Sequence, residues 1–88
     1  MTMKDQLFNR AGVRYEVALD VLGAIIAHHS EVIAAERGKG APDEAAIAAA
    51  QQSKDELRTV REELDPNKAE SIERVIEQYG QQARELYK

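Results

Sequence analysis

The chain contains no cysteine, two prolines and four aromatic residues among its 88 positions. The missing cysteine excludes a disulfide framework and thiol chemistry. The aromatics are Phe8, Tyr15, Tyr79 and Tyr87, and alanine supplies much of the 43% apolar content. An alanine-rich core is thin, and a chain this short lies near the small end of what folds alone. Such domains commonly gain stability by association, so a homodimer or a protein partner is expected.

Clusters of one charge are missing too. The net charge of −4 divides into −1 over residues 1–37, −2 over 38–64 and −1 over 65–88. Nucleic-acid binding by counterion release needs grouped Lys and Arg, and so does adhesion to anionic lipid. No nucleic-acid or membrane partner is therefore expected. The longest near-continuous apolar run, Val21 to Ala27, is too short to cross a bilayer. The opening MTMKDQLFNR lacks the apolar stretch of a secretion signal. A cytoplasmic protein of bacterial type is the expectation.

The usual carriers of chemistry are also sparse. His28 and His29 are the only histidines, and neighbours on a helix diverge by about 100° rather than sharing a metal. His29 falls on the apolar seam, where a charged imidazole is costly and association can become pH-sensitive. The glycines of Gly38-Lys39-Gly40 lack the rest of a phosphate loop, and no G-x-S-x-G motif is present. No catalytic residue, cofactor or metal is expected, and the protein reads as a non-enzyme.

Helical periodicity is plentiful. Tyr15, Leu19, Leu22, Ile26, His29 and Ile33 recur in steps of four and three, beside a second row of Ala18, Val21, Ile25, His28 and Val32. Together they form a face wide enough to touch two neighbours. A second seam runs Ile47, Ala50, Ser53, Leu57, Val60, Leu64, and a third runs Ala69, Ile72, Ile76, Tyr79, Ala83, Leu86. The pattern predicts one all-α domain over residues 1–88, an up-down-up three-helix bundle with helices at about 3–37, 42–64 and 66–87. Thr2 with Asp5 suits the first helix start, and the first helix is expected to run unbroken through Gly12. Gly38 and Gly40 suit its end. Pro42 suits the first turn of the second helix, and Asp65 or Asn67 the cap of the third. A row of small residues, Gly23, Ala27, Ser30 and Ala34, is expected to pack on Ala45, Ala48 and Ala49. Arg58 is expected to pair with Glu62, within a solvated face.

At 1.5 Å per residue the first helix spans roughly 50 Å and its companions roughly 30 Å each. Residues 3–13 then overhang the bundle. Leu7, Phe8 and Ala11, with Tyr15 at the margin, are the expected partner-binding residues, because an exposed Leu or Phe forgoes about 1.5–3 kcal/mol.

The long first helix, two shorter ones and the short length resemble the small all-helical chorismate mutases. Ala18-Leu19-Asp20 and Lys39 are similar to that family's first helix. The resemblance implies an interlocked helical dimer and an enzyme that grips two substrate carboxylates with arginines. The chain departs from this pattern: Arg10 and Arg14 are the only arginines before Arg37, and His28, His29 and Ser30 occupy the middle. The expected function is therefore a protein–protein interaction module, a regulator that binds and inhibits or chaperones a larger protein in the manner of antitoxins and secretion chaperones. A chorismate-mutase-like enzyme and a DNA-binding accessory protein are the alternatives.

Overall fold

The computed structural model describes residues 10–87, with three helices and no strand among them. Helix α1 spans Arg10–Arg37, α2 spans Glu44–Glu63 and α3 spans Ala69–Leu86. The up-down-up reading is correct, and α1 is continuous through Gly12. Leu7, Phe8 and the Thr2–Asp5 start signal lie outside the described residues, and nothing is described of the Ala11 side chain.

Three apolar layers fix the directions of the helices. Ile33 packs with Ile47 and Ala50 near the α1–α2 turn. Leu22 and Ile25 meet Leu57 in the middle, where Val60, Val75 and Tyr79 join them. Ala18, Leu64 and Ile72 close the far layer, flanked by Tyr15, Leu19 and Ile76. Numbers fall along α2 as they rise along α1, so these two run antiparallel. They rise together in α3, which lies parallel to α1. Both short helices pack along α1 and approach each other less closely.

Local chemistry sets the boundaries, with some departures from expectation. Helix α1 ends at Arg37 without a left-handed glycine, since no described glycine has positive φ. Instead the Glu36 carboxylate holds the turn. It accepts from Lys39 Nζ at 2.9 Å and from the Asp43 amide at 3.0 Å. Asp43 then caps α2 by accepting from the Ala46 amide at 3.1 Å. Pro42 therefore precedes the cap rather than filling the first helical turn.

The start of α3 differs more. Neither Asp65 nor Asn67 caps it, and helix begins only at Ala69, after an N-cap Lys68 that makes no side-chain capping bond. Asp65 Oδ1 instead accepts from the Asn67 amide at 2.9 Å, and the Asp65 carbonyl accepts from Lys68 at 3.0 Å. Spending the carboxylate on this local turn leaves it unable to serve the helix.

The small-residue row also departs from expectation. Ala27 and Ala34 are exposed, as are Ala45, Ala48 and Ala49. A methyl group built on Gly23 would meet nothing within 4 Å. Helix α2 is turned so that Ile47, Ala50 and Leu57 face α1, because burying isoleucine and leucine removes far more apolar area than burying alanine. Arg58 reaches back to Asp55 at 3.8 Å rather than forward to Glu62.

Candidate functional site

Two features of the described residues could serve a function: a small polar hollow where the helices meet, and the exposed Val13 near the start of α1. The hollow, of about 190 Å³, is lined by His29, Ser53, Glu56, Leu57, Tyr79 and Gln82. All three helices contribute because the seams of α1, α2 and α3 each place one polar residue at this level. The His29 imidazole is held below its ordinary value, first by burial, then by repulsion from His28 and Lys54. Neutral imidazole suits hydrogen bonding. No group of three His, Cys, Asp or Glu stands close enough together to hold a metal among the described residues.

Around the hollow, long-range bonds fix the end-to-end position of α3. Arg14 forks onto Glu73, donating from Nε to Oε2 at 2.8 Å and from Nη2 to Oε1 at 2.7 Å. This hydrogen bond is the main reason the Arg14 guanidinium is pushed further toward its charged form. At the other end, Tyr87 donates its hydroxyl to the Ala24 carbonyl at 3.1 Å, and its ring meets that of His28 edge-on at 6.5 Å. These pairs lie 59 and 63 residues apart in sequence, and no local pattern announces them. The Glu36 clamp was more legible, since Glu36 and Lys39 stand at the i,i+3 spacing of helical ion pairs.

The second feature lies on α1 itself. Residues 12–37 are long and apolar enough to cross a membrane by length and composition, and only 22% of their most apolar 18-residue window is buried within the chain. The seven-residue run at Val21–Ala27 therefore understated how apolar this helix is. Val13 is 48% exposed at the start of the overhang. Tyr15, by contrast, is half-buried against the Ala18–Leu64–Ile72 layer. Of the expected partner-binding residues, Tyr15 thus marks where the intrachain core begins.

Beyond the end of α3 the core is formed by α1 and α2 alone. The row of α1 that faces α3 includes Arg14 and His28, in contact with it or its terminus. Continuing in helical steps, the row reaches Val32 and Ala35, and the Ile33–Ile47–Ala50 layer has no α3 member. On α2 the corresponding row is Leu64, Val60, Leu57 and Ser53, which continues to Ala50 and Ala46. Val32 and Ala46 are half-buried and Ala35 exposed. Ala50 is buried and Val32 packs on the Ile33–Ile47–Ala50 layer, so α1 and α2 close on each other there. No protein family, curated protein or solved structure matches the chain.

Proposed function

We propose that the protein is a protein–protein interaction module, with no catalytic role, that works by binding and holding another polypeptide. The observation that carries this reading is Val13, 48% exposed near the start of α1, in a chain whose described residues expose only one other large apolar side chain, Tyr87.

A bilayer is the other environment that would cover such a helix. Asp20 and Glu31 lie within it, and a carboxylate at the centre of a spanning helix costs about 2.5–3.5 kcal/mol. Both short helices also occupy one side of α1 and carry exposed charges, which favours a protein partner. The hollow at His29 favours no second reading, because a dianion would meet Glu56 there and no arginine. The finer version of the proposal is a regulator that inhibits or chaperones a larger protein.

The test replaces Leu7 and Phe8 together with Asp. The expected result is a lower assembly mass by sedimentation, or loss of the polypeptide retained from native lysate, with circular dichroism still showing the helices. Collapse of helicity and melting in the double variant would place these residues in the monomer's own core and overturn the reading.

A further inference from the structure

We propose that the hollow at the helix junction is a binding site for a guanidinium group. Helices α2 and α3 both pack along α1 and approach each other less closely, which leaves an opening between them with α1 beneath. Into it α1 places His29, α2 places Ser53, Glu56 and Leu57, and α3 places Tyr79 and Gln82. Burial is graded across these residues. Leu57 is buried, His29, Ser53 and Tyr79 are half-buried, and Glu56 and Gln82 are exposed. The hollow therefore has an apolar base, a polar wall and a mouth that carries a carboxylate.

Size and chemistry select the ligand. Pockets for drug-sized molecules enclose about 300–1,000 Å³. At about 190 Å³, this one admits a single group the size of a side chain. Glu56 is the one formal charge in the lining, so an anion is disfavoured and a cation is drawn in. Its carboxylate accepts from Gln52 through Oε1, which leaves Oε2 for a ligand. His29 is held neutral, chiefly by burial, so its ring offers an acceptor nitrogen without a charge. The side chains of His29, Ser53, Tyr79 and Gln82 form no hydrogen bonds with one another, and their capacity is open to a ligand. Lys54 also acts on His29 but does not line the hollow, and it leaves the space free.

A guanidinium matches this lining. It is planar, packs against aromatic rings such as Tyr79 and His29, and donates parallel bonds to a carboxylate. A compact ammonium is more strongly hydrated and loses more on entering a half-buried site. Two sources present the same group: an arginine side chain of a polypeptide, or a free small cation.

The experiment uses the full chain and two probes, ethylguanidinium and a blocked tripeptide with arginine at its centre. Binding is read by NMR on the ring resonances of the two histidines and three tyrosines. Saturable shifts are expected at His29 and Tyr79, with a Kd on the order of 1–10 mM. Tyr15 packs in the far layer and should not respond. Glu56→Gln keeps the exposed mouth polar and should weaken binding roughly tenfold with the melting temperature unchanged. Ser53→Leu fills the space from a seam position and should abolish the shifts. Saturation by both probes supports the site and assigns it to an arginine side chain, whereas saturation by ethylguanidinium alone supports it and assigns it to a free cation. Shifts that fail to saturate, that keep full strength in Glu56→Gln, or that ethylammonium or acetate reproduces equally would overturn the site. None of these variants touches Leu7 or Phe8, so the interaction reading stands or falls separately.

Discussion

His29 occupies the junction of all three helices, and its surroundings oppose its charge. Burial is the main cause, followed by His28 beside it and Lys54 across on α2. The other titratable groups lining the hollow are Glu56 and Tyr79. The folded state thus binds a proton less readily than the unfolded chain, whose histidines keep the ordinary value of 6.5. Stability is complete above that value and falls as pH drops through it, until the folded imidazole is itself protonated. Lowering the pH from about 7.5 to about 5.5 should therefore lower the Tm, and His29→Gln should reduce that loss. An equal pH response in the variant would refute the role assigned to His29. Glu36 acts in a separate window. Its carboxyl is held below the ordinary 4.5, chiefly by Lys39 and then by the Asp43 amide, so its contribution disappears only as pH falls below that range. At this scale the sequence was half legible. Periodicity placed His29 on a seam, but neither Lys54 as its neighbour nor the Arg14–Glu73 fork follows from any local pattern.

Among the helices, α3 has the strongest periodicity and the weakest start. Its seam placed Ile72, which is 1% exposed, at the correct position. Its N-terminus begins three residues later than 66, because side-chain geometry alone decides whether Asp65 serves a turn or a helix. Gly80 is the other weak point of α3. It is buried, yet a methyl group placed there would approach Arg84 Nη1 no closer than 3.6 Å and Ile76 Cγ2 no closer than 4.0 Å. These are ordinary contacts, and one neighbour is the mobile end of an arginine. Close packing therefore does not require glycine here, and its backbone entropy is a net cost. Gly80→Ala should stabilise the fold by about 0.5–1 kcal/mol, raising the Tm by a few degrees in thermal melts. A fall in Tm would mean that α3 is packed more tightly in the working assembly than along α1 alone. The missed alanine contact has a similar cause. Binary pattern locates an apolar stripe but not the rotation of α2 about its axis, which Ile47 and Leu57 decided against Ala45, Ala48 and Ala49.

At the scale of the whole molecule, one long helix serves two short ones and leaves Val13 exposed near its start. The difference in helix lengths was legible in the sequence, whereas most of the expected overhang at residues 3–13 lies outside the described residues. The bond that ties Tyr87 to Ala24 was not legible, because it joins residues 63 apart in sequence. If folding and pairing are one process, stability must depend on protein concentration, since dissociation accompanies unfolding. A hundredfold rise in concentration shifts the balance by about 2.7 kcal/mol. Spread over the unfolding entropy of two chains of 88 residues, this corresponds to a Tm increase of roughly 7 °C. Calorimetry across that range should find the increase in the wild type and none in the Leu7→Asp, Phe8→Asp variant, whose arm can no longer dock. A wild-type Tm independent of concentration would mean that α1, α2 and α3 are sufficient as a lone molecule, and that Leu7 and Phe8 make no pairing contact.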